Sequence, residues 1–255
     1  MKRNTIKLSR YLAFTLIALL AVGSLSAYVL LSPARTWDNA PTYIVDQGGL
    51  SDVNDGSGGV NAVVSAITSN QAWNGAGSGT VIHAQSGNTN NVSLGDGTPM
   101  LVFGDPFHAC NGSCLAATFT GYYSQRNDGS YRIDDADIVT NTRYDWTSQG
   151  EDPNGSGCSG EFYIEGVMVH EVGHGLGLGH TNVTGATMYP SVSSCNNAPA
   201  TTEADDEDGL NALYSGGGGP GGGSCTLKQK GESCSANSEC CSGNCKGKAG
   251  SMTCK

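Results

Sequence analysis

Three histidines and a glutamate stand close together in the segment HEVGHGLGLGH, at positions 170–180. On a helix, His170 and His174 lie one turn apart on the same face, so both ring nitrogens can reach one metal ion. Gly177 allows the chain to leave the helix through a backbone conformation that other residues resist, and the turn brings His180 back as a third ligand. Three protein ligands leave a fourth position for water, which is typical of a catalytic zinc site.

Glu171 follows the first ligand, where its carboxylate can lie beside the water instead of on the metal. Zinc lowers the pKa of a bound water from near 16 to about 7. Glu171 is predicted to take the proton of this water as it attacks a substrate, and to deliver that proton to the leaving group. A short His-Glu-x-x-His also arises by chance on a polar helix face. The fixed offsets of Gly177 and His180 favour the zinc interpretation.

The residues that follow resemble the matrixin (matrix metalloproteinase-like) branch of the metzincin zinc peptidases. Met188 opens the tetrapeptide MYPS at the distance from His180 that is typical of that branch. Positions 133–139 and 205–214 are similar to the strand before the family's active-site helix and to its last helix. The resemblance covers about residues 35–215. It implies an endopeptidase with Met188 in a turn beneath the metal and with Tyr189, Pro190 and Ser191 beside the pocket for the side chain after the cut bond. It also implies that an extended substrate pairs with the edge strand near residues 116–119.

Some matrixin features are not recognisable. The sequence shows no cysteine switch of the Pro-Arg-Cys type, and little room for a pro-domain before Trp37. The structural-zinc loop is among them, and we expect the remaining histidines, His83 and His108, to be ordinary polar residues. Calcium is a candidate second cofactor near Asp96, Asp105 or positions 134–137, although the sequence assigns no site.

The N-terminus indicates export. Four basic residues within the first ten positions precede an apolar stretch over residues 11–31, and small residues follow in the layout of a signal peptide. We therefore expect a secreted protein whose signal lies within residues 1–34 and is cut between 26 and 34. The stretch is also long enough to span a bilayer, so an uncleaved anchor is the alternative.

Charge is divided unevenly between two expected domains. Residues 35–214 hold four arginines, no lysine and twenty-one Asp and Glu, whereas residues 225–255 hold five lysines and two Glu. An acidic main domain argues against nucleic-acid binding, which requires a basic surface. We expect protein or peptide substrates and a monomer.

Apolar patterning predicts an α+β fold. Helices are expected at residues 59–73, 161–175 and 202–214, with Thr202 as the N-cap of the last. Strands are expected near 43–45, 81–82, 100–103, 116–119 and 133–139. This order fits a twisted mixed sheet with about three helices, as in a matrixin catalytic domain over residues 35–215. A Gly-rich linker at 216–224 and a small module at 225–255 follow.

The ten cysteines agree with an oxidising compartment. In the large domain a local bridge Cys110–Cys114 leaves Cys158–Cys195, although four cysteines allow three pairings. The tail order C…C…CC…C…C resembles the knottin (inhibitor cystine knot) pattern. That resemblance implies the pairs Cys225–Cys241, Cys234–Cys245 and Cys240–Cys254; a zinc-binding tail is the alternative.

The tail raises a second functional hypothesis. Its lysines could contact anionic surfaces, so the module is a candidate for surface or carbohydrate binding. The chain would then be a binding, inhibitor-like or toxin-like protein, and the metal domain would carry or process the tail.

Overall fold

The structure of the chain is a computed structural model that describes residues 28–126, 129–214, 233–234, 245–248 and 251–254. Residues 1–27 of the predicted signal, the predicted linker and most of the tail lie outside these ranges. The strands of the large domain are β1 (Val29–Leu30), β2 (Arg35–Trp37), β3 (Thr42–Asp46), β4 (His83–Gly87), β5 (Met100–Val102), β6 (Ala116–Gln125), β7 (Tyr131–Thr140), β8 (Trp146–Thr147), β9 (Phe162–Tyr163) and β10 (Leu178–Gly179). Its helices are α1 (Val60–Ile67), α2 (Ile164–Gly175) and α3 (Ala204–Tyr214).

A mixed six-stranded sheet organises the domain. Its strand order is β2-β7-β5-β3-β4, and β6 pairs with β7 as well. The β2–β7, β5–β7, β3–β5 and β3–β4 pairs are parallel, whereas β6 runs antiparallel to β7 with Thr118 opposite Ile138. The mixed sheet and three helices fit the predicted α+β matrixin-like class.

Helix α2 lies in the centre of the domain. Ten of its twelve residues are buried, which is expected of a helix that is apolar on nearly all sides. Ile164, Met168 and Val172 are fully buried in one core with Trp73 and with Tyr43 of β3. The helix that carries the histidine motif is therefore held by packing around most of its surface.

Helix α1 is shorter than predicted, because it ends at Ile67 and not near residue 73. The Thr68 hydroxyl donates to the Val64 carbonyl at 2.6 Å at this end. The Asn74 side chain then bonds to the Thr68 and Ile82 carbonyls and accepts the Ile82 N–H. Residues 73–75 then form a separate 3-10 turn.

Other predicted boundaries also shift. Helix α2 begins at Ile164 and not near residue 161, because Phe162 and Tyr163 pair with β8 as a short strand. The strand predicted at 81–82 forms at His83–Gly87. Helix α3 begins at Ala204, so Thr202 does not occupy the predicted N-cap position. The Thr202 hydroxyl instead lies 3.4 Å from the Glu207 carboxylate.

The fold extends upstream of residue 35, where the sequence placed the start of the domain. Val29 pairs with Gly179 and Leu30 with Leu178, so β1 and β10 form a small antiparallel sheet just before His180. In the tail, Cys245–Lys248 (β11) and Ser251–Cys254 (β12) form an antiparallel hairpin. No helix among the described residues is long and apolar enough to cross a membrane.

Candidate metal centre

The three histidines of the motif converge on one point. The Nε2 atoms of His170 and His180 are 3.2 Å apart, and those of His174 and His180 are 3.1 Å apart. Zinc–nitrogen bonds of about 2.0–2.1 Å at tetrahedral angles would separate ligand atoms by about 3.3 Å. The observed spacing therefore fits one zinc ion held by three imidazoles. Among the described residues, the one other group of three such ligand atoms within 4.8 Å of one another includes Cys158 and Cys195, which are bonded to each other.

Backbone carbonyls orient two of the rings. Nδ1 of His170 lies 2.6 Å from the Thr187 carbonyl, and Nδ1 of His174 lies 2.8 Å from the Leu178 carbonyl. A carbonyl can only accept, so each Nδ1 carries the proton and donates it. Each Nε2 is then left with a lone pair directed at the common point, as a metal-binding imidazole requires.

Burial keeps these two rings neutral. It lowers the pKa of His170 and of His174 to about 4, chiefly because the charged imidazolium loses its hydration. At neutral pH both rings therefore offer nitrogen lone pairs without first releasing a proton. His180 is exposed and completes the set from the solvent side.

The turn between the second and third ligands depends on Gly177. Its φ is +105°, and an added Cβ would lie 2.3 Å from the Arg35 carbonyl oxygen, so only glycine fits. Two side chains, one from each end of the domain sequence, bond to the C-terminus of α2. The Trp37 indole N–H donates to the Gly175 carbonyl at 2.8 Å, and the Tyr214 hydroxyl donates to the Leu176 carbonyl at 2.7 Å. These contacts fix where the chain turns toward His180.

Glu171 lies on the helix between the two helical ligands and is only 6% exposed. Its Oε2 accepts a hydrogen bond from the Thr118 hydroxyl at 2.6 Å. Burial raises the pKa of the Glu171 carboxyl, whereas nearby His174 and the bond from Thr118 act in the opposite direction. The sequence did not point to Thr118, because the contact joins residues 53 positions apart.

Met188 packs against the helix that carries the histidine motif. The side chain is 2% exposed, and its sulfur packs so closely against Gly173 that an added Cβ there would lie 2.3 Å away. Asp206 of α3 holds this turn, because its carboxylate accepts the N–H groups of Thr187 and Met188 at 2.7 and 2.9 Å. Sequence reasoning missed Asp206, whose only signal was an acidic first turn in the last helix.

The predicted pocket wall follows this turn directly. Tyr189 is half-buried and its N–H donates to the Ala186 carbonyl, while Pro190 and Ser191 are exposed beside it. Their contact with a substrate stays a prediction.

Both bridges expected in the large domain are present. Cys110 is bonded to Cys114, and Cys158 is bonded to Cys195. In the tail Cys234 is disulfide-bonded. The predicted pairs Cys225–Cys241, Cys234–Cys245 and Cys240–Cys254 involve side chains outside the described residues.

Several of the calcium candidates accept hydrogen bonds from the backbone. Asp105 accepts the N–H groups of Ala109 and Cys110, and so shapes its own loop. Asp135 accepts the Gly95 N–H, and Asp137 accepts the Met100 N–H. These contacts assign no calcium site. His83 in β4 and His108 in a loop belong to no group of metal ligands among the described residues.

Part of the chain is similar to known peptidases of the matrixin family. Residues 104–215 match the family model of the matrixins, a peptidase family. Metalloendoproteinase 1 of Glycine max is 41% identical over 73 residues, which are 27% of this chain and 22% of that protein. Metalloendoproteinase 2-MMP of Arabidopsis thaliana is 30% identical over 131 residues, which are 51% of this chain and 31% of that protein. Matrix metalloproteinase-25 of Mus musculus is 33% identical over 111 residues, 43% of this chain and 16% of that protein.

The matched region contains the whole histidine motif, the Met188 turn and α3. Together with the three-histidine geometry, these findings support a matrixin-like zinc metalloendopeptidase and do not favour the binding-protein alternative. The chain spans only about a sixth to a third of the length of these relatives.

Proposed function

We propose that this chain is a secreted zinc endopeptidase that cuts protein or peptide substrates, with Glu171 as its general base. The observation that carries the proposal is the convergence of the His170, His174 and His180 Nε2 atoms at spacings of 3.1–3.2 Å, with the Glu171 carboxylate on the same helix. This combination supplies a metal-binding triad and a proton acceptor at one place.

The division of labour follows from the side chains. When bound, zinc would supply Lewis acidity that activates water and polarises the peptide carbonyl. The Nδ1–H bonds of His170 and His174 hold both rings in a fixed orientation. Their Nε2 lone pairs therefore need little rearrangement to bind a metal ion. Glu171 accepts the proton of the attacking water and then donates it to the leaving amine.

The first part of strand β6, residues 116–119, is proposed to align the substrate. It pairs with β7 along one edge, and no described strand pairs with its other edge. Residues 116–119 of β6 lie next to α2, because the Thr118 hydroxyl reaches Glu171. An extended peptide that adds to this free edge would place its backbone beside the metal centre.

The N-terminal strand bears on signal removal. A cut after Ala34, at the end of the predicted range, would remove β1 and its pairing with β10. We therefore propose secretion with cleavage before Tyr28. Intact mass of the secreted protein would test this, and a mature chain that begins at Arg35 would contradict it.

The tail is proposed to be a knottin-like module that targets the enzyme. The β11–β12 hairpin and the bonded Cys234 are consistent with a disulfide-stabilised unit. A chain truncated after Tyr214 should cleave casein as fast as the full chain. Loss of cleavage by a folded, zinc-loaded truncation would make the tail part of the enzyme.

The deciding experiment is cleavage of a peptide library by the full chain, with and without a zinc chelator. Glu171→Ala should retain zinc and lose activity by roughly 10²–10⁴-fold, the range of general acid–base catalysis. Glu203→Gln, which alters an exposed carboxylate, is the matched control. Cleavage by pure Glu171→Ala at the wild-type rate would remove Glu171 from the mechanism.

A further inference from the structure

We infer that Thr118 is a positioning residue for Glu171, an inference that rests on the proposed function. The Thr118 hydroxyl oxygen lies 2.6 Å from Glu171 Oε2 and 3.0 Å from the Glu171 carbonyl oxygen. A carboxylate accepts only, so the hydroxyl donates. The shorter distance lies within the range of about 2.5–2.7 Å for hydroxyl bonds to an ionised acceptor.

This bond fixes the plane of the carboxylate. Glu171 is 6% exposed, so little water competes for its oxygens. With Oε2 held by Thr118, rotation of the carboxylate is restricted and Oε1 is left to meet a proton. A general base must lie within about 2.6–3.2 Å of the proton donor, so small changes in carboxylate orientation alter the rate. Thr118 acts through Glu171 and need not touch the substrate.

Thr118 is well placed for this role. It lies in a regular part of β6, paired opposite Ile138 of β7, so its backbone is fixed by the sheet. Threonine is branched at Cβ, which restricts χ1 and hence the direction of the hydroxyl. Side chains stand perpendicular to a sheet, so Thr118 can reach α2 while the edge of β6 stays free for a substrate backbone.

The same strand provides a matched control. Thr120 lies two residues further along β6 and therefore on the same face. Its hydroxyl accepts a bond from Arg35 Nη1 at 2.8 Å. Thr118→Val and Thr120→Val thus make the same chemical change on the same strand, but only the first removes a partner of Glu171.

The test compares Thr118→Val, Thr118→Ser and Thr120→Val in the full chain, on a peptide that the wild type cleaves. Thr118→Val should lower kcat about tenfold to a hundredfold, which corresponds to losing a hydrogen bond to a charged group. KM should change by less than about twofold, since the loss falls on the reaction step. Thr118→Ser should recover most of kcat, and Thr120→Val should match the wild type. Zinc stoichiometry and the melting temperature are measured for every variant.

Several outcomes would overturn the inference. The inference is wrong if Thr118→Val has the kcat of the wild type, or if Thr118→Ser fails to recover activity. A fall in zinc content parallel to the fall in kcat would show a structural effect on the metal site instead. If the zinc-loaded wild type cleaves no peptide, the proposed function fails together with the inference. If the wild type cleaves and Glu171→Ala does not, an active Thr118→Val removes only the role of Thr118.

Discussion

The two faces of strand β7 bury polar groups in different ways. Ala136 faces α2, since its Cβ lies 3.4 Å from the place that an added Cβ on Gly175 would take. On that side, histidine and glutamate side chains are individually oriented by carbonyls and a hydroxyl. The neighbouring Asp135 and Asp137 point to the other side, where Asp135 accepts the N–H of Gly95 in the loop before β5 and Asp137 accepts that of Met100, the first residue of β5. Both are about 1% exposed.

The difference lies in charge as well as orientation. On the α2 face three imidazoles converge and can accept one cation, and burial keeps those of His170 and His174 neutral. On the opposite face two carboxylates are buried together, with Asp96 nearby. Burial first, and Asp135 second, raise the pKa of Asp137 to about 7, and burial also raises the pKa of Asp135. One face is organised to bind a metal, whereas the other makes the fold sensitive to pH.

The largest expected effect concerns the metal-binding face. His180→Ala removes the exposed third ligand and should reduce bound zinc to well below one equivalent, with loss of peptidase activity. Metal analysis after dialysis checks this, with His83→Ala as the control because that histidine is exposed and distant in the fold. Unchanged zinc stoichiometry in His180→Ala would remove it from the ligand set.

A second prediction concerns the packing beneath the motif. A Cβ on Gly173 would lie 2.3 Å from the Met188 sulfur and 2.6 Å from Trp73 Cζ2. Gly173→Ala should therefore lower the free energy of unfolding by about 1–3 kcal/mol, the usual cost of overpacking. Gly104→Ala is the control, since nothing lies within 4 Å of its added Cβ. Denaturant unfolding that gives equal stability for both variants would contradict the packing argument.

The opposite face should respond to pH. The folded pKa of Asp137 is about 7 and its ordinary value is 3.8, so between these values the folded chain binds more protons than the unfolded chain. The stability from this group is fully present below about pH 4 and is lost as the pH rises through about 7. Asp137→Asn should flatten that part of the stability profile, whereas Asp145→Asn at an exposed site should not. Identical slopes in wild type and Asp137→Asn would exclude a raised pKa.

The smallest effect is expected at Tyr43. Its hydroxyl is fully buried beneath Gly175 and has no hydrogen-bond partner in the part of the chain that the structure describes. Tyr43→Phe removes an unsatisfied polar group and should raise stability by up to about 1 kcal/mol. Tyr214→Phe, which loses the bond to Leu176, should instead lower it. A destabilised Tyr43→Phe would show that the hydroxyl is satisfied.

The sequence predicted the local parts of the site well. The spacing of His170 and His174 on one helix turn, and a glycine at 177, are properties of neighbouring residues, and the structure brings all three histidines together. Apolar patterning likewise predicted the three helices and strands β3 to β7 in order, whereas the short strands β1, β2, β8, β9 and β10 were not predicted. Local patterns of this kind are readable without knowledge of the fold.

Contacts between residues far apart in the sequence could not be predicted from local patterns. Thr118 and Asp206 look like an ordinary strand threonine and helix aspartate, and only the folded chain places them against Glu171 and the Met188 turn. The early end of α1 was not predicted either; beyond it the Asn74 side chain bonds to the Thr68 and Ile82 carbonyls, six and eight residues away. Local helix propensity is a weak preference, which tertiary contacts override.

The bond from the Tyr214 hydroxyl to the Leu176 carbonyl also sets an order of events during synthesis. Tyr214 is the last residue of α3, so this brace on the turn before His180 forms only after nearly the whole catalytic domain has left the ribosome. The Asp206 contacts with the Met188 turn arrive equally late. A nascent chain stalled before residue 206 should thus bind zinc more weakly than the released chain, which metal competition on stalled chains can measure. Late assembly of this kind would delay proteolytic competence until translation of the domain is complete.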